Sequence, residues 1–314
     1  MRQSAPLLIA AVAVVVAALV LLVGFWLNDR NNSVPAPTSQ PHTAGFPDAS
    51  TTGVPAGTKL TRVPQDRKSG DGWAWNAYGW VQVQSDNVTL SGLDIDGSVH
   101  STKAGLTITD TRIRCTGEHD WCLSLGTRST VRDTEIGGQS DGHSFGPATG
   151  VYSGGTDSNN VLQRLNIHHT SDGLRIDGGT TVEDSWVHDL IMGDPADPTA
   201  HSDGIQSTGG ANVSITHNRI ETGNNCNVFV QWLSGNPAIS NYQVTDNLFV
   251  AGARNGQQTS YGVCIYGRNV SAPIRVSNNQ FSHGWQVAAL TAPPEAVVSA
   301  NRFTDGATAN TSTK

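Results

Sequence analysis

The sequence has few charged residues and almost no lysine. Asp, Glu, Lys and Arg make up 14% of its 314 residues, and lysine occurs only four times. Disordered chains need high charge and little apolar mass, so this composition argues against that class. The formal net charge is −7, and no basic cluster is present. Nucleic acid is therefore not expected as a partner, because phosphate binding requires clustered Lys and Arg.

The N-terminus contains the one long hydrophobic run. Residues 7–27 carry no charge and, as a helix, would span roughly 32 Å, enough to cross a bilayer. The run ends without a small-x-small cleavage site, which predicts an uncleaved signal anchor behind a short cytoplasmic tail, 1–6. The expected location is the cell membrane, single-pass, with the rest of the chain outside the cytoplasm. A cleaved signal peptide and a secreted product are the alternative.

The segment 28–57 is rich in Pro, Ser, Thr, Asn and Ala, a composition typical of an extended tether. It would hold the folded part away from the membrane.

Four cysteines follow, and an even number in an exported chain favours disulfides. Cys115 and Cys122 would close a small loop, which leaves Cys226 and Cys264 to pair by elimination. A metal site is the rival interpretation, but the C-x-x-C spacing is absent.

The remainder of the chain repeats itself. Each unit is an alternating segment that ends in a small polar residue, a variable residue and an apolar one. The units are VTLSGLDI (88–95), LTITDTRI (106–113), STVRDTEI (129–136), NVLQRLNI (160–167), TTVEDSWV (180–187), VSITHNRI (213–220), YQVTDNLF (242–249), IRVSNNQF (274–281) and AVVSANRF (296–303). A second segment recurs between many of them, as in DGLRIDGG (172–179) and DGIQSTGG (203–210).

Units this short cannot bury an apolar face alone, so they must stack. The pattern predicts an all-β protein, a right-handed parallel β-helix of about nine or ten coils over 58–306, with a disordered tail at 307–314. We expect a monomer. The sixth position is Asn in the last four units, Asn218, Asn247, Asn279 and Asn301. Such a column suits a bend, where Asn tolerates the left-handed conformation and bonds to the next Asn.

These repeats, together with GFPDASTTGVPAGTKLT (45–61), resemble the exported right-handed β-helix proteins of actinobacteria, within the pectate-lyase-like superfamily. The resemblance covers roughly 80% of the chain by its periodicity. It implies the fold and a polysaccharide or cell-surface glycan as partner. It does not single out one activity, since the superfamily includes lyases, hydrolases, epimerases and non-catalytic adhesins.

Aligning the second segments on Gly173, Gly204 and Gly262 stacks Asp172 on Asp203 and Arg175 on Gln206. The ionisable residues are densest here. The expected catalytic residues are Asp172, Arg175, His201, Asp203 and His169. The expected substrate-binding residues are Asp177, His188, Gln206, Trp232 and Tyr261. The opposing interpretation of the two aspartates is structural, because an Asp before Gly also caps a turn.

The stretch HSDGIQSTGGANVSITHNRIETGNNC (201–226) resembles the polygalacturonase-like hydrolases, in which N-T-D-G precedes G-D-D. Asp203 matches the first motif, but Asn224 and Asn225 stand where the paired Asp would be, and Asn is neither acid nor base. The R-x-P-x-x-R base motif of pectate lyases is also absent.

Three functions stay open at this point. The leading hypothesis is a polysaccharide lyase that acts by β-elimination on a glycan containing uronic acid. The others are a glycoside hydrolase using Asp172 and Asp203, and a non-catalytic glycan-binding or structural protein.

Calcium is a possible cofactor of the lyase. Its oxygen ligands would come from Asp184, Asp189, Asp194, Asp197 and Asp203. The aromatic segment 73–80 is interpreted mainly as a cap on the first coil.

Overall fold

The computed structural model describes residues 45–116, 119–138, 149–155, 157–191, 201–221, 224–254, 257–271 and 273–312. The predicted cytoplasmic tail, the membrane segment 7–27 and most of the tether lie outside these ranges. Among the described residues, no helix is long and apolar enough to cross a membrane.

The described chain is all-β and forms a parallel β-helix with three long sheets. Sheet A has ten strands, Thr61–Val63, Leu93–Ile95, Arg112–Cys115, Glu135–Gly138, Asn166–His168, Trp186–His188, Arg219–Glu221, Leu248–Val250, Gln280–Phe281 and Arg302–Phe303. Sheet B has eleven, Ser69–Gly70, Trp73–Trp75, Trp80–Val83, Ser98–His100, Trp121–Ser124, Thr149–Ser153, Asp172–Ile176, Ile205–Ser207, Cys226–Gln231, Tyr261–Tyr266 and Ala288–Thr291. Sheet C has nine, Thr89–Ser91, Thr107–Thr109, Thr130–Arg132, Val161–Gln163, Thr181–Glu183, Ala211–Thr216, Ser240–Thr245, Ile274–Ser277 and Val297–Ser299. A small hairpin pairs Ala253–Arg254 with Gln257–Gln258.

Each repeat unit of the sequence spans one strand of sheet C, a tight bend and one strand of sheet A. The second segments form sheet B. Strands of successive coils pair in parallel and in one register, so that Leu174, Ile205, Val228 and Val263 stack in a single buried column. This alternation places every second side chain in the shared core, as the repeat pattern predicted.

The asparagine column is present, but its backbone conformation differs from the expectation. Asn247 donates its side-chain amide to Asn279 Oδ1 at 3.0 Å, and its own Oδ1 accepts from the Asn218 backbone N–H at 2.9 Å. The left-handed residue is the one before each Asn, for example Asp246 with φ 59°. The prediction of left-handed Asn residues is therefore wrong. The bend needs its positive φ one position earlier, which points the Asn inward, where Asn247 is completely buried.

Both predicted disulfides are confirmed. Cys115 is bonded to Cys122 and Cys226 to Cys264, and no described cysteine is free. The second bond joins neighbouring strands of sheet B, next to the predicted site.

Both ends of the described chain pack on the coils. Within the predicted tether, Gly53 N–H donates to Arg164 O at 2.9 Å, and Phe46 stacks on His217. In the segment predicted as a disordered tail, Ala309 is 4% exposed and Thr291 Oγ1 donates to Ser312 O at 2.7 Å. These contacts hold residues 45–57 and 307–312 against the β-helix.

The aromatic segment 73–80 opens sheet B as an antiparallel hairpin. Trp73 is 3% exposed within the hydrophobic core, and Trp75 packs against that core. These two residues fill the role of the predicted cap.

Candidate functional site

The outward face of sheet B carries one continuous column of side chains. The register pairs Ser124 with Tyr152, Tyr152 with Arg175, and Arg175 with Gln206. The pairing of Arg175 with Gln206 is the one that the sequence predicted. The column then continues through Phe229 to Cys264, because the strand Cys226–Gln231 supplies a coil that the sequence alignment had omitted.

Arg175 lies on the buried carboxylate of Asp172. Its Nε donates to Asp172 Oδ2 at 2.8 Å. The Asp172 side chain is 1% exposed, whereas that of Arg175 is 45% exposed. Asp172 thus fixes the guanidinium from below, while the other face of Arg175 is presented to solvent.

His201 is positioned in a similar way on the next coil. Its Nε2 lies 3.3 Å from Asp203 Oδ2, and the Asp203 side chain is fully buried while that of His201 is 42% exposed. Asp203 Oδ1 accepts hydrogen bonds from Asn225 Nδ2 at 2.8 Å and from the Cys226 backbone N–H at 3.0 Å. Two exposed basic side chains therefore stand on two buried carboxylates of successive coils.

Burial raises the pKa of two acids beneath this face, Asp172 and Asp177. The loss of water raises the pKa of Asp172, and the neighbouring charge of Asp203 raises it further against the opposing effect of Arg175. Burial also raises the pKa of Asp177, whose Oδ1 accepts from the Thr208 N–H at 3.3 Å.

A groove with a cavity volume of about 500 Å³ lies over these residues. It is lined by Tyr152, Arg175, Ile176, Asp177, His201, Gln206, Thr208, Phe229, Gln231 and Leu233. Tyr152 is 42% exposed and Leu233 49%, so the groove has apolar walls and a charged centre.

The structure does not bring His169 and His188 into this groove. His169 Nδ1 lies 2.7 Å from His168 Nδ1, and the ring of His188 stacks on Trp186 at 3.5 Å. His168 and His188 are paired on the outer face of sheet A. The corner between sheets A and B separates the predicted cluster into two groups, which linear spacing cannot reveal.

Two predicted aromatic contacts also lie elsewhere. Tyr261 is 8% exposed and packs with the Cys226–Cys264 disulfide. Trp232 packs against the core and donates its Nε1–H to Asn236 O at 2.8 Å. Phe229 takes their place in the groove, and the alternation in NVFVQ (227–231) was the signal that could have identified it.

The proposed calcium ligands for which the structure describes a position do not converge. Asp184 lies 2.6 Å from His217 Nδ1, whereas Asp189 lies 2.7 Å from His188 Nδ1 at the opposite end of the strand Trp186–His188. The three-residue strand Trp186–His188, about 10 Å long at roughly 3.3 Å per residue, separates the two aspartates. Asp194 and Asp197 fall outside the described residues. Within the described ranges, no group of three or more His, Cys, Asp or Glu could hold a metal.

Comparison with known proteins identifies the fold family. No curated protein matches the chain, and no solved structure matches it either. The family described as "Right handed beta helix region" matches residues 146–305, just over half of the chain, including every residue of the groove. The chain therefore belongs to the right-handed beta helix family.

Proposed function

We propose that the groove on sheet B binds an acidic polysaccharide and cleaves it by β-elimination. The observation that carries the proposal is the arrangement of Arg175 and His201. Their exposed side chains lie next to the buried carboxylates of Asp172 and Asp203. A cation and a proton acceptor on adjacent coils are the two groups that elimination from a uronic acid requires.

Arg175 would neutralise the uronate carboxylate and stabilise the negative charge that develops when the C5 proton leaves. His201 would accept that proton. Its Nε2 lies 3.3 Å from Asp203 Oδ2, a buried carboxylate that would stabilise the protonated ring once the proton is taken up. The C4–O bond then breaks, a C4–C5 double bond forms, and the departing oxygen takes up a proton.

The hydrolase alternative receives less support from the geometry. Hydrolysis by a carboxylic acid pair requires both groups to contact the sugar. Asp172 is 1% exposed and Asp203 is fully buried, and each accepts a backbone hydrogen bond from the next coil. Acids held in this way serve better as partners of Arg175 and His201 than as direct catalysts.

A non-catalytic glycan-binding protein is the second candidate. The observation in its favour is that Asp203 Oδ1 already caps the following coil through Cys226 N–H, a structural role that needs no chemistry. Binding would then use the same Arg175 and the apolar walls of the groove.

One assay separates these functions. The full chain is incubated with a panel of uronic-acid and neutral polysaccharides, and both reducing ends and the ultraviolet absorbance of an unsaturated product are measured. A lyase gives both signals, a hydrolase gives reducing ends only, and a binder gives neither. Arg175→Ala should abolish the lyase signal while the fold is retained, although loss of the partner of buried Asp172 lowers the melting temperature. Full activity in this variant rejects the proposed role of Arg175.

We also propose that the β-helix works outside the cytoplasm, held there by the segment 7–27. The two disulfides support an oxidising location. Mass spectrometry of membrane fractions tests the anchor, since a mature N-terminus between residues 28 and 47 would show that the segment is removed.

A further inference from the structure

A second group of rings lies on sheet B, toward the N-terminal end of the groove. It consists of Tyr78, Trp80, His100, His119 and Trp121 and is called here the aromatic platform. Tyr78 stacks on Trp80 with centroids 5.2 Å apart, Trp80 contacts Trp121 at 5.9 Å, and His119 stacks on Trp121 at 6.1 Å.

The platform is distinct from the cap. Trp73 and Trp75 belong to the hydrophobic core or pack on it, whereas the five platform rings are in neither buried cluster. Tyr78 is 70% exposed. Folding the core therefore does not account for five aromatic rings gathered on the outer face of the sheet.

One platform residue, His100, lies in the column that contains Arg175. The register pairs Gln82 with His100, His100 with Ser124, and Ser124 with Tyr152, the residue next to Arg175. Trp121 lies two strands from Asp172, through Thr149. At about 4.8 Å per coil, Trp121 is roughly 10 Å from the row of Arg175, and Trp80 roughly 19 Å.

We propose that the aromatic platform is a distal subsite, where a sugar ring of the same acidic glycan chain stacks its apolar C–H face. This proposal rests on the proposed function, because Arg175 holds the charged sugar that places the chain along sheet B. Burial lowers the pKa of His100, which favours the neutral form of its ring. The platform would give the protein a preference for long chains, since a disaccharide on Arg175 is too short to reach it.

Binding is measured by calorimetry on the full chain, with polygalacturonate, alginate and hyaluronan as probes, each as polymer and as its uronate-containing disaccharide. Tyr78→Ala and Trp121→Ala should each raise the Kd for the polymer about 3- to 10-fold and leave the Kd for the disaccharide unchanged. Arg175→Ala should weaken both. The control is His283→Ala, which removes another exposed ring that stacks on an aromatic, Phe303, at the far end of the chain.

The outcomes separate the two proposals. An unchanged polymer Kd in both platform variants, with weaker binding in Arg175→Ala, overturns the subsite and keeps the proposed function. Weaker polymer binding in the platform variants alone keeps the subsite and overturns the role of Arg175. If no probe binds, both are rejected.

A dimer in light scattering that Tyr78→Ala dissociates would instead assign the platform to a second copy of the chain. Melting curves show whether each variant is folded. Tyr78→Ala should remain folded because the Tyr78 side chain is exposed.

Discussion

The carboxylate of Asp172 accepts a hydrogen bond from the backbone N–H of Asp203 on the next coil, at 2.9 Å. Asp203 repeats the arrangement with Cys226 at 3.0 Å. Each acid thus links its own coil to the following one through Oδ1, while Oδ2 faces a basic side chain at the groove. The two acids combine a structural contact and a positioning contact, which suggests variants that separate these roles.

Asp203→Asn should separate them most directly. The amide Oδ1 can still accept from Cys226 N–H, so the melting temperature should change little. The neutral amide, however, would no longer stabilise the protonated ring of His201, whose Nε2 lies 3.3 Å from Asp203 Oδ2 in the wild type. Turnover should fall about 10²–10³-fold, the usual loss when charge stabilisation is removed. Unchanged turnover at an unchanged melting temperature would support the purely structural interpretation.

Asp172→Asn should change how stability depends on pH. The pKa of Asp172 is raised in the folded state, so the folded chain binds more protons than the unfolded chain above the ordinary pKa of 3.8. The contribution of this residue to stability therefore falls as pH rises through its folded pKa. Urea unfolding across a pH series should show the variant gaining stability relative to the wild type over that window.

Glu135→Gln is the matched control of opposite sign. The hydrogen bond from His168, followed by that from Arg112, lowers the pKa of Glu135. Its stabilising contribution is present above the ordinary pKa of 4.5 and is lost as pH falls through the folded value. The variant should lose stability at neutral pH and converge with the wild type in acid. Parallel profiles for the two variants would contradict both assignments.

Asn247→Ala should destabilise the fold strongly. The side-chain amide of Asn247 donates to Ile215 O at 2.9 Å and to Thr245 O at 3.0 Å, besides its bond to Asn279. Truncation leaves buried partners unpaired, at a cost of about 1–3 kcal/mol for each. Gln243→Ala, an exposed change on the preceding strand Ser240–Thr245, is the control. Equal denaturation midpoints for the two variants would show that the asparagine column does not stabilise the fold.

The two disulfides should differ in their contribution. Their sequence separations are 38 residues for Cys226–Cys264 and 7 for Cys115–Cys122. The loop-entropy estimate favours the longer loop by about 1.5 kcal/mol. Replacing Cys226 and Cys264 with Ala should therefore lower the free energy of unfolding more than replacing the other pair. It should also reduce activity, because the disulfide fixes the strand whose Cys226 backbone N–H donates to Asp203 Oδ1. Denaturant titration of the two double variants provides the comparison.

The sequence by itself determined which residues point inward in most segments and the register of the strands Asp172–Ile176 and Ile205–Ser207, although it missed the coil of Cys226–Gln231. The period of two in each segment decides the side, and a slip of one residue would expose Leu174 or Ile205. Arg175 could therefore be placed beside Gln206, and Asp172 beside Asp203, without coordinates. The disulfide pairs followed from their number and spacing.

Only the tertiary structure decided which ionisable residues share one face. His169 and His188 are close to Asp172 in sequence, but the bend after sheet A directs them to a different side of the coil from Arg175. The burial of both carboxylates and the position of the left-handed residue before each Asn also depend on bend geometry. Local periodicity carries no information about bends, because their direction is set by packing between coils.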